Sequence, residues 1–213
     1  MDSRYLYVVV EGPSDEAPAR RILQHVGCEP VQVLITDGKD RLDQQLPSYN
    51  QAARRNGWLV LRDLDREECA PGLKSHLLPT PTRGMLLRIA VREVEAWLLA
   101  DREEAAQWLR VSPAIIPSEP DSLLDPKQTL VRIARRSRSR TIREEMVPRA
   151  GSTARVGPAY TGQIIQYASS QWRPQIAAQN SPSLARCPRS LERWKSGNYT
   201  QDPEDHNDPR RVT

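Results

Sequence analysis

The sequence predicts an α/β fold: a parallel sheet of about four strands flanked by helices, leading into a mostly helical second half. Three observations predict it. Short apolar, β-rich runs alternate with helix-patterned segments through the first third of the chain. Those runs are apolar on both faces, as strands buried inside a parallel sheet are. From Arg92 onward, helical spacing replaces them.

Taken in order, "YLYVVVEG" (Tyr5–Gly12) reads as the first strand. "PSDEAPARRILQHVG" follows as a helix, with Ala19, Ile22, Leu23 and Val26 on one face and Gly27 as its stop. "PVQVLITDG" (Pro30–Gly38) is the second strand, and "RLDQQLPSYNQAARRNG" a helix broken or kinked near Pro47. "WLVLRDLD" is the third strand and, after a Pro-rich connection, "GMLLRIAV" (Gly84–Val91) the fourth. "REVEAWLLADREEAAQWLR" reads as one helix, with Val91, Val94, Trp97 and Leu98 aligned, and 111–126 as a long loop. "DPKQTLVRIARRSRSRTIREEM" opens as a helix, with Asp125 at the N-cap and Pro126 at the first position. "YTGQIIQYASSQW" is a further helix and "SPSLARCPRSLERW" a last short one. The expected organisation is an α/β core over 1–101, a helical extension over 102–195 that packs on it, and a disordered polar tail over 196–213.

Composition narrows the function classes. A chain of 213 residues with a formal charge of +4 is long enough for one generous domain and mildly basic, which permits a polyanionic partner. Cys28, Cys69 and Cys187 are far apart and lack metal-ligand spacing, so reduced thiols are expected. The N-terminal apolar run is too short for a signal peptide, and no stretch has the length of a membrane span, so a soluble cytoplasmic protein is expected. No Walker A lysine, dinucleotide-binding glycine pattern or zinc-ligand spacing occurs. His25, His76 and His206 offer no histidine-based triad.

The chemistry concentrates at strand ends. Strand one ends at Glu11-Gly12 and strand three at Asp63-Leu64-Asp65, inside "WLVLRDLDREE". Ligands of open parallel sheets bind beyond the carboxyl ends of the strands, where these carboxylates would converge if the strands are neighbours. Crowded like charges cost free energy unless a cation sits among them. An all-oxygen set suits a hard divalent ion, Mg²⁺ or Mn²⁺. Asp63 and Asp65, two apart in an extended chain, would point the same way and share or bracket such an ion. Asp15 lies close by, but capping of its own helix explains it better; Arg66 would soften the repulsion, and Glu67 and Glu68 read as surface charges.

"E-G" after strand one with "D-x-D" after strand three resembles the TOPRIM domain, the metal-binding fold shared by topoisomerases, primases and the overcoming-lysogenization-defect (OLD) nucleases. "RIAVREVEAWLLAD" (Arg88–Asp101), "DPK" (Asp125–Lys127) and "SPSL" (Ser181–Leu184) are similar to a family of small TOPRIM-like proteins. Many of these are encoded beside ATPases in bacterial defence-type gene sets. The resemblance spans 5–194. It implies Glu11 as metal ligand or general acid/base, Asp63 and Asp65 as metal ligands, and Glu93 or Glu95 as the acid that helps hold a second metal. On a continuous helix those two glutamates flank the apolar face on opposite sides, which allows one of them at most, Glu93 slightly favoured. Lys127, in "DPK", becomes the protein's own cation for developing charge. Two-metal hydrolysis places the ions roughly 3.5–4 Å apart.

Arg132, Arg135, Arg136, Arg138 and Arg140 would wrap a helix and either track a phosphate backbone or pair with nearby acids. Two functions follow as expectations. One is a metal-dependent nuclease cutting DNA or RNA, an effector of anti-phage defence. The other is a non-catalytic TOPRIM-like subunit that binds metal or nucleic acid and regulates a partner ATPase.

Overall fold

The computed structural model describes residues 5–198. Strands and helices alternate as β1 (Leu6–Val10), α1 (Pro13–Val26), β2 (Gln32–Ile35), α2 (Lys39–Ala52), β3 (Gly57–Asp63), α3 (Ala70–Leu77) and β4 (Met85–Ala90). The four strands pair in parallel in the order β2-β1-β3-β4. The predicted α/β class, a Rossmann-like parallel sheet with helices around it, is the architecture found.

Side-chain alternation sorts the two faces. Leu6, Val8 and Val10 of β1 join Leu59 and Leu61 of β3 against α1, while Val9 and Val60 face Leu42 and Leu46 of α2. The chain steps outward from β1 to β2 and then returns past β1 to β3. Connections therefore diverge between β1 and β3, and the carboxyl ends of these two strands are where open parallel sheets bind ligands. Gly12 starts α1 there in an extended conformation, and its N–H donates to Asp15 Oδ2 (2.8 Å). Gly27 ends the same helix with φ 69°, a left-handed conformation that glycine adopts without a Cβ clash.

The second half consists of α4 (Val94–Ala100), α5 (Arg102–Trp108), α6 (Pro126–Arg135), α7 (Arg140–Met146), α8 (Tyr160–Ser170), α9 (Pro174–Asn180) and α10 (Pro182–Ser196). The 111–126 stretch is a loop with two single-turn 3-10 segments, at Pro113–Ile115 and Pro120–Ser122. One hydrophobic core runs from β1, α1 and β3 through α4 into α8, α9 and α10. Trp97 lies at its centre, fully buried, with its indole N–H on Ser183 Oγ (2.7 Å) and its carbonyl accepting from Trp172 Nε1 (3.2 Å). Among the described residues no helix is long and apolar enough to cross a membrane.

Several expected bounds shift. α2 runs unbroken through Pro47. The Pro-rich connection after β3 contains α3, and the last helix is 15 residues rather than short. The sheet is not covered evenly, because the edge strand β2 leaves Gln32 and Ile35 exposed. The expected helix over 92–110 is two helices, parted at Asp101, whose buried carboxylate accepts from the Arg173 backbone and guanidinium (2.7–3.2 Å). The arginine run is likewise split, with α6 ending at Arg135 and α7 starting at Arg140 under a Ser139 cap. Ser196 closes α10, and Gly197 caps it in the left-handed conformation. The tail from 199 onward lies outside the described residues.

Candidate functional site

Glu11 and Asp63 meet because β1 and β3 are neighbours. Glu11 leaves β1 one residue past its end, and Asp63 is the last residue of β3. The Asp63 backbone N–H donates to Glu11 Oε1 (2.7 Å), which ties the first acid to the third strand. Asp63 occupies the same face as Leu61, toward α1 and α4, and its Oδ1 accepts from the Val94 N–H at the start of α4 (3.1 Å). The α4 entrance thereby holds the aspartate side chain in place.

Arg62 is one residue back, so it points to the opposite face, toward α2. Its side chain is 2% exposed and pairs with Asp43 through Nε and Nη2 (3.0 and 3.1 Å). Nη1 reaches Asp65 Oδ2 (3.2 Å) and Glu11 Oε1 (3.5 Å), and it also donates to the Asp63 carbonyl. Lys39 adds a second cation on Asp65 (3.1 Å). Asp65 itself has φ 51°, so the extended alternation stops before it. This corrects the expectation that Asp63 and Asp65 point the same way: the structure turns Asp65 to Arg62 and Lys39, and Asp63 to the α4 side. Arg66 is exposed, and the cations that offset the charge of Glu11 and Asp65 are Arg62 and Lys39.

On the α4 side the geometry also departs from the helical expectation. Glu93 is the N-cap of α4, in an extended conformation, and only Glu95 is inside the helix. The two glutamates therefore do not flank a helix on opposite sides; both reach Lys127. Lys127 Nζ stands 3.6 Å from Glu93 Oε1 and 3.5 Å from Glu95 Oε1. The Lys127 backbone N–H donates to Glu93 Oε2 (2.8 Å). Glu95 is 3% exposed and accepts from Tyr160 Oη (3.1 Å). Asp15, buried in α1, holds Gly12 as the capping explanation requires. It is also a member of the cluster, electrostatically coupled to Asp63, Glu93 and Lys127.

The electrostatics follow from removing so many carboxylates from water. Burial pushes Glu11 up to about 7 despite the Asp63 N–H and Arg62. Burial, then Asp15 and Glu11, raise Asp63 well above the usual carboxylate range. Asp15, Glu93 and Glu95 are raised by burial first as well. Burial also opposes the Lys127 charge, but Glu95, Glu93, Asp63 and Asp15 push that ammonium well above the ordinary lysine value. A carboxyl raised in the folded state binds its proton more tightly than in the unfolded chain, so stability falls as pH rises between the two values. For Glu11 that window runs from about 4.5 to about 7. Over it the metal-free protein should lose on the order of 3 kcal/mol from this group alone. Lys127, raised above its ordinary value, keeps its contribution throughout this window and loses it only at far higher pH. Thermal melts in chelator from pH 4.5 to 8 should show a falling midpoint; a flat or rising one contradicts the arrangement.

The donor chemistry fits a hard divalent ion: the cluster offers oxygens only, and Glu11, Asp15, Asp63, Asp65, Glu93 and Glu95 outnumber Arg62, Lys39 and Lys127. As the side chains stand, no three His, Cys, Asp or Glu residues among those described form a ready ligand group. The sequence reading missed Arg62, Lys39 and Tyr160. The period-two pattern of "LRDLD" puts Arg62 opposite Asp63 and is a usable signal for the first. Lys39 and Tyr160 carry none, since their approach is purely tertiary.

Arg132, Arg135, Arg136, Arg138 and Arg140 are all exposed, around the α6–α7 turn rather than along one helix. Arg140 pairs with Glu144 (2.7 Å) and Arg132 bonds Thr129 Oγ1 (2.7 Å). Lys127 and these arginines thus sit at opposite ends of α6. A separate cavity of about 370 Å³ lies along the open edge of β4, lined by Leu64, Cys69, Lys74, Ile89 and Arg92 among others. No protein-family model, curated protein or solved structure matches the chain.

Proposed function

We propose that the chain is a Mg²⁺- or Mn²⁺-dependent phosphodiesterase of TOPRIM type that hydrolyses DNA or RNA. The observation that carries this reading is the meeting of Glu11 and Asp63 at the carboxyl ends of β1 and β3, with Asp15, Glu93 and Glu95 around them. A structural core gains nothing from five carboxylates whose burial, and then mutual repulsion, raises their proton affinities; an ion-binding site does.

Glu11 and Asp63 would hold the ion, whose chemistry there is Lewis acidity toward a phosphoryl oxygen and a lowered pKa for a bound water. The remaining tasks belong to the chain. In the metal-free protein burial raises Glu11 to about 7, so binding the ion near neutral pH would displace a proton from it. The Val94 N–H and the Arg62 network keep Asp63 and Glu11 at the strand ends. The exposed arginines of the α6–α7 turn supply a cationic surface on which a phosphate backbone can rest, with affinity falling as salt rises.

One observation favours the non-catalytic alternative, a subunit that binds metal or nucleic acid and regulates a partner ATPase: Arg62 and Lys127 already engage most of the acids. An assay on supercoiled plasmid and on single-stranded RNA, with Mg²⁺, Mn²⁺ or chelator, separates the two. The nuclease reading expects cleavage of at least one polymer with metal and none in chelator. Intact polymers under every condition overturn it and leave the regulatory role.

A further inference from the structure

We infer that Lys127 takes the place of a second divalent cation, so that the site works with a single metal ion held by Glu11 and Asp63. The inference rests on the metal-dependent reading above and restricts it: the acids Glu93 and Glu95, which the resemblance assigns to a second metal, are committed to an ammonium instead.

Three features of the structure carry it. First, Lys127 is fixed at two points. Asp125 caps α6 by accepting the Gln128 N–H (2.8 Å), and Pro126 occupies the first helical position, which places Lys127 in the first turn. From there its backbone N–H bonds one oxygen of Glu93 while its Nζ approaches the other (2.8 and 3.6 Å). A lysine anchored through both main chain and side chain to the same carboxylate is not a surface charge that has drifted inward.

Second, the position is costly without the acids. The first turn of a helix carries the positive end of its dipole, which disfavours a cation. The Lys127 side chain is also only 31% exposed. Both penalties are offset by Glu93 and Glu95, with Asp63 and Asp15 beyond them. The dependence runs both ways: Glu95 is 3% exposed, and this ammonium is the cation that offsets its charge, beside the Tyr160 hydroxyl.

Third, the ammonium stands where a second metal would need to be. Mg²⁺ binds carboxylate oxygen at roughly 2.0–2.1 Å, and paired catalytic ions lie about 3.5–4 Å apart. An ion bridging Glu93 and Glu95 would have to expel Nζ from its place 3.5–3.6 Å from both. If Nζ stayed, the ion would meet a like charge at contact range. Glu11 has a cation at the same range, Arg62 Nη1 at 3.5 Å, but that guanidinium approaches from the α2 face and is shared with Asp43 and Asp65.

Equilibrium Mn²⁺ binding, read by calorimetry and by loss of the free-ion electron paramagnetic resonance signal, tests this without any turnover. The native chain should bind one Mn²⁺, and Lys127→Met should bind two. Lys127→Met/Glu95→Gln should return to one. Two Mn²⁺ ions on the native chain overturn the inference and leave the metal-dependent reading intact; that measurement needs no variant and decides the matter even if Lys127→Met is unstable. Lys127→Gln, which retains a hydrogen-bond donor, provides a second charge-free chain. One ion on both charge-free variants also overturns the inference. No ion on the native chain but binding to the variants overturns the single-ion inference, and with it the metal dependence of the native protein. No ion on any of them overturns both.

Discussion

Asp63→Asn is expected to lower metal-dependent cleavage by on the order of 10³-fold while leaving the protein at least as stable as before. The two halves of that expectation have different origins. The activity loss follows from removing one of the two charged ligands proposed for the ion. Transition-state charge stabilisation by a bound metal amounts to several kcal/mol, and each 1.36 kcal/mol is about tenfold in rate. The stability follows from the cluster. Asp63 is raised well above its usual range by burial and by Asp15 and Glu11, so its charged form is opposed by its surroundings. Asparagine keeps an oxygen for the Val94 N–H and removes that charge. Sites that spend stability on function behave this way, gaining stability when the functional group is deleted. Cleavage assays beside thermal melts check both. Full activity in the variant removes Asp63 from the mechanism, and a large fall in melting temperature recasts it as structural.

Trp97→Ala should destabilise the fold by about 3–5 kcal/mol, the range for removing a large aromatic from a core. Against total stabilities of ~5–15 kcal/mol, that is enough to leave a substantial unfolded fraction at physiological temperature. The side chain is wholly buried, and its loss also removes the indole N–H bond to the Ser183 hydroxyl and loosens the α4 backbone that Trp172 bonds. Because one hydrophobic core joins the sheet to α8, α9 and α10, urea unfolding followed by circular dichroism should remain a single transition with a lower midpoint. Two resolved transitions would mean that 1–101 and 102–195 are energetically separate units.

The sheet was legible in the sequence because its signal is local. Tyr5–Gly12, Trp58–Asp65 and Gly84–Val91 announce themselves by continuous apolar character, and the strand-end acids follow directly. The helical half was legible only in outline. Asp101 interrupts a run whose apolar spacing continues across it, and the reason is Arg173, 72 residues away. No local pattern contains that pair. The error over Glu93 and Glu95 has the same root. Spacing arguments assume a continuous helix, and one residue of extended backbone at Glu93 brings both acids to the same lysine. Arg62 illustrates the converse: it was missed although the period-two alternation of the strand carries a signal for its place behind the acids, facing α2.

The placing of Lys127 and Tyr160 has a consequence for the order in which the chain emerges from a ribosome. Every carboxylate of the cluster, from Glu11 to Glu95, is synthesised before either of the two groups that hold Glu95. A nascent chain that has reached Asp101 holds the whole negative half of the site and, on the α4 side, nothing to oppose it. Stopping there would leave Glu95 with neither its ammonium nor its phenol, and Trp97 without Ser183 and Trp172. The α4 side of the acidic cluster is thus completed by its latest-made residues, so a chain cut off early carries Glu93 and Glu95 without the groups that hold them in position.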